Sequence, residues 1–412
     1  MLIIFDLDGT LFQTAICDIN AVHKLFDEYG LSRIDEREIT AGIGKKTADF
    51  LGGILPDSNL LEQACERFRE LEQLEVKERG MLFPDISKML QELRDKGHSL
   101  SICSNGSLKY IMLVLECTGI VEYFDNIKSA KYIGSKTKAV QQLLMETKNA
   151  VMVGDTISDF CAAQENQIPS IGVAYGYGNP IDLKQVTFIA YNTMQICEFV
   201  QQLEIFYNIT DGLIKDGKRC IGINGVDASG KTTLTNNLSV FLNHIGIKNT
   251  IIHIDDFHNK AIVRQQGNNE IEAYYQNAFN YDQLIEEILR PIQNGIVVDK
   301  EVMCLNLDTD KYENAIHYSI DKETVVLIEG VLLFRPPLSQ FLEGKVYVNI
   351  SFDEVLRRAR VRDVPKYGEE FMKKYFEKYI PIQKKYLAEY NPIEKSDFII
   401  DNNDFKNPRL MS

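Results

Sequence analysis

The sequence lacks the features that would indicate a membrane-spanning or disulfide-stabilised protein. No apolar run in its 412 residues reaches the roughly 18 residues that a membrane span needs. Its 8 cysteines are scattered singly, without a Cys-x-x-Cys pair. This usage indicates free thiols in a reducing compartment. We therefore expect a cytoplasmic protein without a membrane partner.

An excess of basic residues is also missing. The formal net charge is -14, and neither half of the chain has a surplus of Lys and Arg. Binding to a phosphate backbone favours such a surplus, so nucleic acid is an unlikely partner by this criterion. Small anionic substrates remain compatible with the charge, because a local site needs only a few cations.

Short apolar segments of strand type alternate with helical stretches, and this pattern occurs twice. The first half has such segments at LIIFDL, HSLSICS, NAVMVGD and PSIGVAYGYG, and the second half at CIGING, NTIIHID, ETVVLIEG and KVYVNIS. Alternating strands and helices predict a parallel sheet covered on both faces. The sequence therefore predicts an α/β protein with two doubly wound parallel-sheet domains, at 1–205 and 217–412. The polar segment 206–216 is predicted to be a linker, and the charged helical block at about 14–80 a cap.

Two acidic pairs follow strands in the first half. Asp6 and Asp8 lie in DLDGT directly after the first strand, and Asp155 and Asp159 lie in GDTISD after a later one. Carboxyl ends of parallel strands are where open α/β sheets place their sites. One carboxylate of the first pair could attack phosphorus while the other donates a proton to the leaving oxygen. Such a site needs a divalent cation, and Mg²⁺ prefers carboxylates and water.

These motifs resemble the haloacid dehalogenase-like hydrolases over about residues 1–200, and MVGDTISDF…SIGVAYGYG is most similar to the phosphoglycolate phosphatase branch. The resemblance implies a Rossmannoid domain with a helical cap that acts on a small phosphorylated metabolite. It implies Asp6 as nucleophile and Asp8 as general acid and base. It also implies that Ser104 and Lys136 hold the phosphoryl group and that Asn105 contacts the substrate. The magnesium ligands that it implies are Asp6, Asp8, Asp155 and Asp159.

Two points in this half stay open. Lys136 is preferred to Lys138 because Val140, Leu143 and Leu144 then fall where the family's following helix is apolar. The segment AGIGKKT at 41–47 is either a cap loop that faces the substrate or a turn that connects two helices.

A glycine-rich segment, GVDASGKT at 225–232, fits the pattern G-x-x-x-x-G-K-[ST]. It follows an apolar strand and precedes a stretch with helical spacing, so backbone N–H groups could cradle phosphates at a helix N-terminus. Lys231 would reach the β- and γ-phosphates of ATP, and the Thr232 hydroxyl would bind Mg²⁺. The predicted ATP contacts are Gly225, Asp227, Ala228, Ser229, Gly230, Lys231, Thr232 and Thr233.

Three further segments are typical of a small-molecule kinase. Asp255 follows the next strand in IIHIDDFH, where a base could accept a hydroxyl proton, and Glu329 ends a later strand, where it suits a metal-water shell. The segment RRARVRD at 357–363 stacks arginines along a helix. These could close over a triphosphate, or they could form a solvated face.

This half resembles the uridine kinase branch of the P-loop kinases over about residues 217–405. The resemblance implies Asp255 as general base, Arg358 and Arg362 as lid residues over ATP, Glu329 at the metal and a nucleoside-like acceptor. It also favours a homo-oligomer. The candidate acceptor contacts are Asp256, His258, Tyr274, Tyr281 and Asp282. His258 and Tyr274 could equally be packing residues. The acceptor stays open, because Asn280-Tyr281-Asp282 stands where the family often has His-Pro-Asp.

The combination predicts a bifunctional enzyme that uses Mg²⁺ and ATP. Polynucleotide kinase-phosphatases join the same two domain types and are the alternative, although the acidic charge argues against them. A third reading is a regulatory protein whose first half only binds a phosphorylated ligand. The intact Asp6 and Asp8 pair opposes that reading.

Overall fold

A computed structural model describes residues 1–145, 147, 149–267 and 269–411. Its contacts divide the chain into two compact units, Met1–Val200 and Gln201–Ser412. Each unit is built on its own sheet, as predicted from the sequence. Among the described residues, no helix combines the length and the apolar character that crossing a bilayer would require.

The first unit contains a parallel sheet with the strand order β3-β2-β1-β4-β5-β6. Its strands are β1 (Leu2–Phe5), β2 (Ser99–Ser104), β3 (Asn126–Ser129), β4 (Ala150–Gly154), β5 (Ser170–Val173) and β6 (Phe188–Ala190). Its helices are α1 (Thr14–Glu28), α2 (Glu36–Thr40), α3 (Thr47–Ile54), α4 (Leu61–Arg79), α5 (Ile86–Asp95), α6 (Leu108–Thr118), α7 (Ala130–Ile133), α8 (Lys136–Leu143) and α9 (Ile157–Glu165), and α10 (Met194–Ile209) begins in this unit and continues beyond Val200. The chain leaves β1 towards β2 on one side and reaches β4 on the other. This reversal places a crevice at the carboxyl ends of β1 and β4.

The segment between β1 and α5 is helical and has a core of its own. Helices α1 to α4 pack through buried apolar side chains, among them Leu25, Leu51 and Phe68. The predicted cap at 14–80 therefore corresponds to a compact helical layer.

The second unit contains a sheet with the strand order β14-β13-β12-β7-β11-β8, which is parallel except for the pair of β13 and β14. Its strands are β7 (Cys220–Gly225), β8 (Asn249–His253), β9 (Val298–Asn306), β10 (Lys311–Ile320), β11 (Val325–Gly330), β12 (Gly344–Asn349), β13 (Phe398–Asp401) and β14 (Arg409–Leu410). Its helices are α11 (Lys231–His244), α12 (Ala261–Arg264), α13 (Glu270–Asn277), α14 (Tyr281–Leu284), α15 (Arg290–Gln293), α16 (Phe352–Tyr367), α17 (Phe371–Lys374) and α18 (Ile380–Tyr390). Strands β9 and β10 form a separate antiparallel hairpin.

The expected linker at 206–216 is not irregular chain. Helix α10 runs to Ile209, and a π-helical turn continues over Thr210–Ile214. The rings of Phe206 and Tyr207 pack on Phe241, with centroid distances of 5.6 and 4.9 Å. Apolar side chains therefore hold this segment in the second unit, although its polar residues suggested a linker.

Candidate active sites

The turn after β1 brings the DLDGT segment against the end of β4. The Asp6 amide donates to the carbonyl of Val153 at 2.8 Å, and the Asp6 side chain is buried. Gly9 has a φ of +76°, and a Cβ at this position would lie 2.3 Å from Oδ2 of Asp155. The glycine therefore permits both the left-handed turn and the close approach of Asp155.

Three buried carboxylates converge at this edge of the sheet. Asp6, Asp155 and Asp159 can each offer an oxygen so that these oxygens lie within 4.8 Å of one another. Burial and the charge of Asp159 raise the pKa of Asp155 to about 7. The same two causes, in the same order, raise the pKa of Asp6 well above its ordinary value. Because crowded carboxylates resist simultaneous ionisation, this donor set fits a hard divalent cation.

Backbone groups and helix α9 hold two of these carboxylates. Oδ2 of Asp155 accepts from the amides of Tyr177 and Gly178 at 2.7 and 3.1 Å. Oδ2 of Asp159 accepts from the amide and the hydroxyl of Thr156 at 3.0 and 2.7 Å, which caps the start of α9. The site is therefore preorganised by local structure.

Lys136 lies inside the carboxylate group. Its Nζ is 3.0 Å from Oδ1 of Asp6 and 2.6 Å from Oδ1 of Asp159, and the residue is only 4% exposed. Burial opposes the charge of Lys136, but Asp159 and Asp6 outweigh it and raise the pKa of the lysine. Lys138 is exposed, and its backbone amide donates to the hydroxyl of Ser135, which caps the start of α8.

Asp8 faces a different set of partners. Its Oδ1 accepts from the Thr14 hydroxyl at 2.7 Å and from the Tyr110 hydroxyl at 2.7 Å. Burial raises the pKa of Asp8, and these two hydrogen bonds partly offset the rise. The Asp8 carboxylate therefore lies outside the group of three, which differs from its expected place among the metal ligands. Thr14 and Tyr110 were not singled out from the sequence, because neither belongs to a motif.

Ser104 and Asn105 lie at the end of β2. Ser104 is buried, its Oγ accepts from the amide of Gly106 at 3.0 Å, and it hydrogen-bonds with Asp8. The Asn105 amide group donates to the carbonyl of Gly44 at 3.3 Å. The AGIGKKT segment therefore reaches the sheet edge that carries the site.

The second site is built on the turn between β7 and α11. Gly230 caps the helix N-terminus with a φ of +90°, and Lys231 begins the helix with a buried side chain. Ser229 is buried, and its Oγ has no hydrogen-bond partner. Free amides and a lysine at a helix N-terminus are the groups that bind phosphates. Thr232 and Thr233 are exposed on the same turn of helix.

Glu329 connects this turn to strand β8. Its Oε1 accepts from the Thr232 hydroxyl at 3.1 Å and lies 2.7 Å from Nδ1 of His253, while the buried Oε2 has no hydrogen-bond partner. Burial opposes ionisation of Glu329, but the bond from His253 and the charge of Lys231 outweigh it, so the pKa of Glu329 is lowered. A charged carboxylate with a free oxygen beside a hydroxyl fits Mg²⁺. His253, two residues before Asp255, was not singled out from the sequence.

The predicted acceptor residues separate into two groups. Asp255 is exposed and Asp256 half-buried on a 3-10 turn after β8. His258 donates from Nδ1 to the carbonyl of Asp255 at 2.7 Å, and its Nε2 lies 3.5 Å from the Tyr274 hydroxyl. His258 therefore braces the turn that presents Asp255.

The side chains of Tyr281 and Asp282 lie in different environments, one buried and one exposed. The Tyr281 side chain is buried in the apolar core, and its hydroxyl accepts from Nη2 of Arg335 at 3.1 Å. Asp282 is exposed on the first turn of α14. The expected substrate contact of Tyr281 conflicts with this pairing, because its hydroxyl already serves a buried guanidinium.

The two arginines of α16 that were predicted to cover ATP have different partners. Nη1 of Arg358 donates to the carbonyls of Ala228 and Ser229 at 3.4 and 3.3 Å, and Nε donates to Glu354 at 2.6 Å. Arg362 pairs with Asp363 at 2.8 Å. Arg358 therefore supports the loop backbone instead of standing open above it.

Asp227 within the loop is held by α18. Its amide donates to Oε1 of Gln383 at 3.2 Å, and the Gln383 amide group donates to its Oδ2. Burial raises the pKa of Asp227, and the charge of Lys231 partly offsets this rise. Gln383 thus fixes the orientation of a carboxylate inside the phosphate cradle.

Fold and sites together define a phosphoryl-handling protein with two α/β units, one built around carboxylates and the other around a phosphate loop. Residues 3–173 match the haloacid dehalogenase-like hydrolases, and residues 220–400 match the phosphoribulokinase / uridine kinase family. The first unit therefore matches a hydrolase family and the second a kinase family, as the resemblances predicted.

Individual relatives cover one unit each. A phosphoglycolate phosphatase of Vibrio vulnificus is 27% identical over 217 residues, which are 48% of this chain and 95% of the relative. A haloacid dehalogenase-like hydrolase from Streptococcus pneumoniae is 25% identical with a TM-score of 0.45, covering 48% of this chain and 97% of its own. A protein from Bacillus stearothermophilus described as a possible uridine kinase is 23% identical with a TM-score of 0.37. The match covers 48% of this chain and 96% of that protein's chain.

Proposed function

We propose that the chain is a bifunctional enzyme. The first unit hydrolyses a small phosphomonoester, and the second transfers the γ-phosphoryl group of ATP to a nucleoside-type hydroxyl. The observation that carries the first part is the position of Lys136, within 3.0 Å of Asp6 and 2.6 Å of Asp159. A buried cation at a nucleophile and a metal-type carboxylate set is what attack on a phosphate dianion requires.

In the hydrolase unit, Asp6 attacks phosphorus, and the bond from phosphorus to the ester oxygen breaks. Lys136 and Ser104 hold the phosphoryl oxygens, while Asp8, positioned by Thr14 and Tyr110, gives its proton to the departing oxygen. Water then attacks the aspartyl phosphate, returns a proton to Asp8 and releases phosphate. Bound at Asp6, Asp155 and Asp159, Mg²⁺ would neutralise charge on the phosphoryl group.

In the kinase unit, Lys231 and the amides at the start of α11 bind the triphosphate. Arg358 stabilises the loop backbone by donating to the carbonyls of Ala228 and Ser229. Asp255, exposed after β8, accepts the proton of the acceptor hydroxyl. Thr232 and Glu329 would hold Mg²⁺, which would offset negative charge on the triphosphate, and His253 would orient Glu329.

The acceptor is tested by following label from [γ-³²P]ATP into a panel of nucleosides and into an oligonucleotide with a 5′-hydroxyl. Asp6→Asn protein is used so that the product is not hydrolysed. Transfer to uridine or cytidine that is lost in Lys231→Ala supports the proposal. Transfer only to the oligonucleotide would replace it with an end-processing function on nucleic acid.

A further inference from the structure

The segment that follows β5 is packed directly against Asp155. The backbone amide of Tyr177 donates to Oδ2 of Asp155 at 2.7 Å. A Cβ added at Gly176 would lie 2.4 Å from Cβ of Asp155, and a Cβ added at Gly178 would lie 1.7 Å from its carbonyl oxygen. Because these contacts are so close, the segment has little freedom to move relative to Asp155.

The hydroxyl of Tyr177 serves the first helix of the cap. The amide of Ala15, in the first turn of α1, donates to this hydroxyl at 3.3 Å. Amides in the first turn have no partner within the helix, and the residue before the helix usually caps one of them. Gln13 stands at that position but makes no such bond, because its side-chain amide donates to the carbonyl of Leu82 at 2.6 Å. Tyr177 therefore replaces the local cap from 162 positions away along the chain.

The start of α1 also carries a donor that holds the proposed general acid. Thr14, next to Ala15, donates from its hydroxyl to Oδ1 of Asp8 at 2.7 Å. The Tyr110 hydroxyl donates to the same oxygen at 2.7 Å. Two donors on one oxygen fix the rotation of the carboxyl group and thereby the direction of its other oxygen. The bond between Ala15 and Tyr177 holds the backbone that presents Thr14 to Asp8.

Tyr175, in the same segment, offers a close comparison. Its ring packs on Phe83 with a centroid distance of 4.9 Å, and the ring of Tyr177 packs on the same Phe83 at 6.1 Å. The hydroxyls differ in their partners. Tyr175 donates to the carbonyl of Thr10 at 3.1 Å, on the turn after β1, whereas Tyr177 accepts from α1. The two tyrosines therefore differ in what their hydroxyls hold.

We propose that Tyr177 is a positioning residue of the hydrolase site. Its hydroxyl holds the first turn of α1, so that Thr14 keeps the carboxyl group of Asp8 aligned with the leaving oxygen of the phosphomonoester. This inference rests on the proposed hydrolase function and adds a residue that acts on proton transfer through another side chain. When the bond from phosphorus to the ester oxygen breaks, that oxygen takes the proton of Asp8. Misalignment of Asp8 therefore slows the departure of basic leaving groups most, because these need the proton.

The test compares phenyl phosphate with p-nitrophenyl phosphate, two aryl esters of similar shape. Phenolate is the more basic leaving group and needs the proton, whereas p-nitrophenolate departs more readily without it. Tyr177→Phe should lower kcat/KM for phenyl phosphate about tenfold more than kcat/KM for p-nitrophenyl phosphate, since part of general acid catalysis is lost. An inactive fraction of the protein lowers both values equally. The ratio of the two values therefore reports alignment of the acid and not the amount of folded protein.

Tyr175→Phe is the matched control, and its ratio should equal that of the wild type. Thr14→Val should change the ratio in the same direction as Tyr177→Phe, and Thr14→Ser, which keeps the hydroxyl, should restore it. The double variant of Tyr177→Phe and Thr14→Val should show no larger change than Thr14→Val, because the two residues act in series. The rise in unfolding temperature on adding Mg²⁺ should be equal in wild type and Tyr177→Phe, since the bond to Asp155 comes from the backbone.

An equal loss on both esters in Tyr177→Phe, or a ratio that does not change, would overturn the inference. Additive effects in the double variant would also overturn it, because Tyr177 would then act independently of Thr14. Loss of the Mg²⁺ response in Tyr177→Phe would do the same, because it would assign the residue to the metal site. If the wild type hydrolyses neither ester, the proposed hydrolase function itself fails.

Discussion

The ammonium nitrogen of Lys136 lies 3.0 Å from the carboxylate of Asp6, and both side chains are buried. The two residues come from elements 130 positions apart in the chain and meet where β1 ends and α8 begins. The contact places a fixed positive charge beside the proposed nucleophile. It also balances part of the charge of three crowded carboxylates, so it bears on both catalysis and stability.

Replacing Lys136 by methionine should reduce hydrolysis of p-nitrophenyl phosphate by about 10²- to 10³-fold, because one charged donor to the phosphoryl oxygens is lost. The measurement is kcat/KM under saturating Mg²⁺. Lys138→Met is the matched control, because Lys138 is exposed two residues away. Equal losses in the two variants would contradict the assigned role. Thermal unfolding of both proteins separates this loss from misfolding, since breaking a buried pair destabilises by about 3–5 kcal/mol.

His253→Gln should weaken kinase activity while leaving the hydrolase unchanged. The imidazole lies 2.7 Å from Glu329 and positions that carboxylate beside the Thr232 hydroxyl. Loss of such an outer partner typically costs about 10- to 100-fold in metal affinity or activity. The Mg²⁺ concentration for half-maximal phosphoryl transfer should rise accordingly. His317→Gln, at an exposed residue of the hairpin, serves as control. An unchanged Mg²⁺ dependence in His253→Gln would remove His253 from the site.

Stability of the first unit should fall in mild acid because of His98. Burial lowers the pKa of this histidine to about 4, so the unfolded chain binds the proton more readily. Its contribution is present above the unfolded pKa and is lost as the pH falls through the folded one. Between about pH 7.5 and about pH 5, wild type should lose about 1–2 kcal/mol more than His98→Gln. Calorimetric unfolding at the two pH values measures this difference, and parallel losses would contradict the prediction.

The sequence predicted the motif-bearing parts of both sites because each motif is short and follows a strand. Asp6 lies directly after β1, and Lys231 directly after the turn that follows β7. Partners that arrive from a distance were not predictable. Tyr110 reaches Asp8 across 102 positions, and Gln383 reaches Asp227 across 156. Neither carries a local pattern that marks it, because only the fold brings these helices to the sites.

The parts of the fold that were missed have weak apolar signals. Strand β3 reads NIKS, and β10 reads KYENAIHYSI with most side chains exposed. Such strands lack the continuous apolar run that identifies a buried strand of a parallel sheet. The structure differs from the predicted linker at 206–216 for another reason. Its polar residues obscured the helical spacing of Phe206, Ile209 and Leu213, which are buried.

The central claim is that one chain carries two independent phosphoryl-transfer sites. The most direct measurement assays both activities in wild type, Asp6→Asn and Lys231→Ala under the same conditions. Hydrolysis of p-nitrophenyl phosphate should disappear in Asp6→Asn and persist in Lys231→Ala. ATP-dependent phosphorylation of a nucleoside should show the reverse. Loss of both activities in either variant, or survival of hydrolysis in Asp6→Asn, would contradict the account.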